Sequence, residues 1–107
     1  MNTTIESINF DADSTLKNLI LERTSGFAEI LKHIESCKVT LELKKTNEGQ
    51  VKVVEISLND PESLFGKEQA ITFELALDSV VYELKQKLAK YKLKKENADV
   101  LKYQKIL

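Results

Sequence analysis

The chain has 107 residues, 42% hydrophobic and 31% charged, which suits one folded domain with one core and is too short for two. Three glycines and one proline leave little material for linkers, and no apolar run approaches the roughly 20 residues of a membrane-spanning helix. The opening MNTTIESINF lacks the basic and apolar segments of a secretory leader, and the lone Cys37 excludes an internal disulfide, so the cytoplasm is the expected place.

Six elements follow in order. Residues 3–10 are expected to form a first strand, with Ile5, Ile8 and Phe10 as its apolar members. Asp13 or Ser14 then caps a helix over residues 15–34, because Leu16, Leu19, Ile20, Phe27, Ile30, Leu31 and Ile34 recur at steps of three and four. Gly26, inside that helix, costs about 1 kcal/mol relative to Ala and makes a kink there plausible. Cys37, Val39, Leu41 and Leu43 alternate with Lys38, Thr40, Glu42 and Lys44, the pattern of a half-buried strand. The polar turn KTNEGQ leads to a partner strand over 51–58, where the apolar phase slips between Val53 and Val54 and suggests a bulge. Asn59, Asp60 and Pro61 end that strand, and residues 64–68 make a short fourth one. A long helix spans 72–95 on the stripe Phe73, Leu77, Val80, Val81, Leu84, Leu88 and Tyr91.

The order β-α-β-β-β-α predicts an α+β fold: a four-stranded, mainly antiparallel sheet with both helices packed on one face. A double-stranded-RNA-binding domain has a related layout, an analogy of architecture that carries no function by itself. Residues 1–95 form the domain in this reading, and 96–107 a C-terminal tail. The end of that tail, VLKYQKIL, is more apolar than a solvated segment and leaves three options open: packing back, lying along a partner, or pairing with another copy.

The net charge of −1 conceals an asymmetry. Residues 81–107 hold eight lysines against three acids, a local +5, while residues 1–80 hold eight bases against fourteen acids, a local −6. A basic end on an acidic body points to a polyanion, although for an arbitrary protein a merely solvated lysine-rich helix is the more frequent explanation. At 100° per residue Lys85 and Lys92 fall on one flank of the last helix's apolar stripe, and Lys87, Lys90 and Lys94 on the other. With Lys17, Arg23 and Lys32 of the first helix, these flanks suit RNA phosphates followed by shape.

Sites of chemistry are poorly represented. One histidine and one cysteine are too few zinc ligands, and no glycine-rich phosphate loop occurs. His33, read as ending the first helix, has an ordinary role beside the final carbonyls, and Cys37 opens a strand on its apolar phase. No enzyme, cofactor, metal, membrane or small-molecule substrate is expected.

The segments INFDADSTLKNLI, VEISLNDPESLFGKE and FELALD followed by LKQKLAKYKLK, in this order, resemble the ribosome hibernation-promoting factors, also named sigma-54 modulation proteins. The resemblance covers residues 3–95 and is to the short form of the family. It implies a factor that binds ribosomal RNA of the small subunit between head and body and silences idle ribosomes under stress or in stationary phase. Arg23, Lys85, Lys90, Lys92 and Lys94 match basic positions of the family, and Lys87 adds to the same face. Phe73, Ala76, Asp78, Leu84 and Leu88 match positions that pack or cap. Gly26 and Glu29 stand where lysines are usual, Gln86 and Lys87 where an arginine and a glutamine are, and Glu83 where some members carry lysine. The replacements at Gly26, Glu29, Glu83 and Gln86 each remove or reverse a phosphate contact. Two alternatives stay open: a diverged RNA-binding module, and a protein-interaction domain using the open sheet face or the acidic body.

Overall fold

In the computed structural model, which describes residues 1–60 and 62–104, the element order is β-α-β-β-β-α. Strand β1 is Asn2–Ile8 and helix α1 is Ser14–Ile30; strands β2, β3 and β4 are Ser36–Thr46, Gly49–Asp60 and Glu62–Ala70; helix α2 is Phe73–Gln104. The strands lie side by side in the order β1-β2-β3-β4. β1 runs parallel to β2, with Ile5 opposite Val39, while the β2–β3 and β3–β4 pairs are antiparallel. A parallel neighbour requires a crossover, and α1 supplies it.

β1 ends earlier than its apolar residues suggest. Asn9 takes a positive φ of 69°, a conformation asparagine tolerates well, and its side-chain amide donates to the Leu43 carbonyl at 3.3 Å. Ile8 is thereby left exposed. Phe10 turns out of the strand to stack on Phe73 at the start of α2, with ring centroids 4.6 Å apart.

Helix α1 opens on Asp13, whose carboxylate accepts from the Leu16 amide at 2.8 Å, as a capping residue should. The helix is continuous through Gly26, so no break accompanies that glycine. It stops four residues short of the expected Ile34, because Leu31 leaves helical geometry at φ −135°, ψ 108°. Leu31 and Ile34 then enter the core from beyond the helix, and the Glu35 amide donates to the Asn59 carbonyl at 2.8 Å. His33 consequently sits exposed in a turn and not within a helix's last turn.

The hairpin of β2 and β3 keeps one register throughout: Val39 faces Ile56, Leu41 faces Val54 and Glu42 faces Val53. No bulge interrupts it. The apparent slip at Val53 and Val54 is two valines on opposite faces, as strand geometry demands of neighbours. Val53 is buried on the outer face, between Glu42 and Gln69 of the flanking strands. The hairpin turn places Gly49 at φ 129°, a conformation other residues rarely take.

Cys37, Val39 and Leu41 of β2 and Val54, Ile56 and Leu58 of β3 share the inner face. They form one core cluster with Ile20 and Phe27 of α1 and with Ala76, Leu77, Val80, Val81, Leu84 and Leu88 of α2. Both helices therefore pack on the same side of the sheet. Each fully buried Leu, Ile or Phe contributes about 1.5–3 kcal/mol relative to exposure. Among the described residues Thr24 is the one buried polar side chain, and its hydroxyl donates to the Ile20 carbonyl at 2.8 Å.

Strand β4 is longer than the 64–68 expected, and Gly66 at its centre explains how α2 lies so close. A Cβ at Gly66 would stand 2.8 Å from Val80 Cγ2 and 3.2 Å from Leu84 Cγ. Thr72 starts α2 by accepting from the Leu75 amide at 3.1 Å. The backbone of α2 stays helical past Lys95 to Gln104. Pro61, the side chains from Lys95 onward and Lys105–Leu107 lie outside the described residues, and with them the expectations for the tail VLKYQKIL.

Candidate nucleic-acid interface

Leu77, Val80, Val81, Leu84 and Leu88 fix how α2 is rotated, because they must face the core. That rotation sends Lys85 and Lys92 toward α1, and Lys87, Lys90 and Lys94 toward β4. The contacts agree. The Lys85 ammonium lies beside Gly26 of α1, 3.0 Å from where a Cβ would stand, and the Lys87 ammonium donates to the Phe65 carbonyl of β4 at 2.9 Å. Lys85, Lys87, Lys90, Lys92 and Lys94 are all exposed.

The six candidate residues divide by their partners. Arg23 is bound to Asp78 of α2 at 3.2 Å and lies 3.6 Å from Glu22. Lys87 is bound to Glu83 one turn earlier at 2.9 Å. Both pairs are exposed enough that each contributes at most about 1 kcal/mol of stability. They also neutralise Asp78 and Glu83, the two acids that share the helix flanks with the lysines. Lys85, Lys90 and Lys94 have no acid three or four residues away on the helix. Among the described residues no ion pair joins Lys85, Lys90, Lys92 or Lys94 to a carboxylate.

Glu83 has a second neighbour. Glu68 of β4 hydrogen-bonds to it, and that bond holds the Glu68 carboxyl above the usual carboxylate range. The Lys87 ammonium, followed by the same Glu68 bond, holds Glu83 below it. A proton carried by Glu68 is thus donated to the Glu83 carboxylate.

The Arg23–Asp78 pair escapes sequence reading, since it joins residues 55 positions apart through the packing of the two helices. The Lys87–Glu83 pair has a signal, an (i, i+4) spacing of opposite charges. The outer sheet face is of mixed sign: Lys38 lies 3.6 Å from Glu6, and Thr40 and Glu42 are half-buried beside it. Burial pushes the Cys37 thiol up to about 11, so it stays protonated at neutral pH.

Residues 3–96 match the model of the sigma 54 modulation protein / S30EA ribosomal protein family. The chain belongs to this family. Among solved structures it resembles a ribosomal subunit interface protein from Coxiella burnetii, with a TM-score of 0.74 and 16% identity over 87% of this chain and 99% of that one. It likewise resembles the N-terminal domain of Protein Y from Thermus thermophilus, with a TM-score of 0.72 and 16% identity over 85% and 99% of the two chains. At such identity these likenesses establish the shared fold. A comparison with curated protein sequences gives no match. No described helix is long and apolar enough to cross a membrane.

Proposed function

We infer that this protein binds the small ribosomal subunit in the cytoplasm, lays the exposed lysines of α2 along ribosomal RNA phosphates, and keeps idle ribosomes silent under stress. The observation that carries the reading is the lysine arrangement on α2: two basic flanks, on which the acids Asp78 and Glu83 are each held by a base. Family membership and the likeness to a ribosomal subunit interface protein support the ribosome as the partner.

Lys85, Lys90, Lys92 and Lys94 are assigned to direct phosphate contact. Arg23 and Lys87 belong to the same interface, but part of their charge is spent on Asp78 and Glu83, so their share of the affinity is smaller. The protein acts by occupying RNA, with no bond made or broken and no cofactor, metal or small-molecule substrate. Its affinity then depends steeply on salt, because each contact releases condensed counterions. Centrifugation through sucrose gradients with purified small or large subunits tests this. Co-migration with the small subunit at low salt, lost as salt rises, is expected. Co-migration with neither subunit at low salt would refute the reading.

A further inference from the structure

The face of α2 turned away from the core is not the plain polar face that a surface helix shows to water. Leu75, Tyr82 and Leu93 are 54%, 67% and 58% exposed. With Gln86 and Ala89 they follow one line along the helix, since steps of seven and four residues return to within about 40° of one direction. Tyr82 is the largest of these groups and sits at the middle of the line. Its ring is not required for packing, because the core side of this stretch is already filled by Val80, Val81 and Leu84.

The charges around Tyr82 suit an anionic visitor. Asp78 lies one turn before it and Glu83 lies next to it, and these are the two acids that Arg23 and Lys87 neutralise. One turn after it stand Lys85 and Gln86, both exposed. Lys92 continues on one side of the line and Lys90 and Lys94 on the other. An exposed aromatic ring between two rows of cations has two complementary features to offer a nucleic acid: a face for a base and charges for the phosphates on either side of it.

We propose that Tyr82 is a stacking platform for an unpaired RNA base, so that α2 holds a single-stranded segment and not the side of a duplex. The inference rests on the ribosomal-RNA reading above and narrows the kind of RNA that the same surface takes. In a double helix the base faces are covered by their neighbours, and only phosphates, hydroxyls and base edges remain within reach. A tyrosine 67% exposed finds no partner there. In a single strand each base offers a face, and stacking on an aromatic ring tolerates any sequence. Gln86, with one amide donor group and one acceptor on the next turn, faces the edge of the stacked base.

The chain contains no tryptophan, so Tyr82→Trp introduces a sole tryptophan at the platform, whose fluorescence is excited at wavelengths where the two remaining tyrosines absorb little. The probes are a short oligouridylate, an RNA duplex of the same length, and purified small subunits. Binding of the oligouridylate should quench that fluorescence, while the duplex should leave it nearly unchanged. Tyr82→Ala should weaken oligouridylate and small-subunit binding by about fivefold to a hundredfold, the range for loss of one stacked base. The slope of log affinity against log salt should stay the same, because no charge is removed. Tyr82→Phe should bind like the wild type. Lys90→Ala is the contrasting variant and should lower the slope.

If Tyr82→Ala binds both single strand and subunit within about twofold of the wild type while Lys90→Ala weakens both, stacking is refuted and the ribosomal reading stands. An equal loss on duplex and single strand would also refute it, since no base face is then being read. If oligouridylate binding depends on Tyr82 but no form of the protein binds small subunits, stacking stands and the ribosomal reading falls.

Discussion

Gly26 and Gly66 each stand where a neighbouring element comes close to α2, yet adding a methyl group should have opposite effects at the two. At Gly66 the new carbon meets Val80 Cγ2 at 2.8 Å and Leu84 Cγ at 3.2 Å, both part of the packed core. Gly66→Ala must lift α2 from β4 and should cost about 1–3 kcal/mol, the usual range for overpacking. At Gly26 the obstacle is the Lys85 ammonium at 3.0 Å, the free end of a flexible side chain. Gly26→Ala should gain up to about 1 kcal/mol of helix propensity while moving Lys85 outward. Urea denaturation of the two variants reads both signs. Glu68 gives a test by pH. Its raised pKa means that its ionised form is disfavoured in the fold, so its contribution is present in acid and lost as the pH rises through its titration. Glu83 is depressed and behaves oppositely, contributing above its ordinary range and losing that contribution as the pH falls. Glu68→Gln keeps a donor to Glu83 and removes the repulsion. It should therefore raise the melting temperature at about pH 7, with the gain shrinking toward about pH 4, where Glu68 already carries its proton.

At the scale of elements, the rotation of α2 was legible, although its end was not, since the helix runs nine residues past the expected residue 95. A long helix with one unbroken stripe leaves little freedom in its rotation, so the two basic flanks could be placed from Leu84 and its periodic neighbours alone. The periodic residues Leu31 and Ile34 are buried, but from beyond the end of α1, a distinction that a pattern of burial does not contain. The doubled valines at 53 and 54 misled for a related reason: both are buried, on opposite faces, and burial alone resembles a change of phase. Ion pairing between elements was the least legible. Arg23 has the composition of a phosphate ligand, and only the meeting of α1 and α2 shows that Asp78 claims part of it. This yields an ordering among variants. Lys90→Ala or Lys94→Ala should lower the salt slope of RNA binding by about 0.7–0.9 per residue. Arg23→Ala should lower it less, because Asp78 already neutralises part of the Arg23 charge and leaves it a weaker phosphate contact. Binding titrations at several salt concentrations give these slopes directly.

For the molecule as a whole, the division between an acidic body and a basic end becomes a division between faces. The sheet's outer face carries acids and bases together, Glu6 beside Lys38, while the lysines of α2 crowd onto the helix side. Mixed charge repels and attracts a polyanion about equally, whereas clustered charge of one sign raises its local concentration. The four-stranded sheet was readable from the alternating strands and their turns. The parallel pairing of β1 with β2 was not, since the strand pattern is the same in either direction. The most direct test of the RNA surface is a comparison of two double charge reversals in co-sedimentation with small ribosomal subunits. Lys90→Glu with Lys92→Glu should abolish co-sedimentation and relieve inhibition of translation in vitro, while Lys38→Glu with Lys44→Glu on the outer sheet face should leave both largely intact. Loss of binding in the sheet-face variant, with the α2 variant still bound, would contradict the account and move the interface to the opposite side of the molecule.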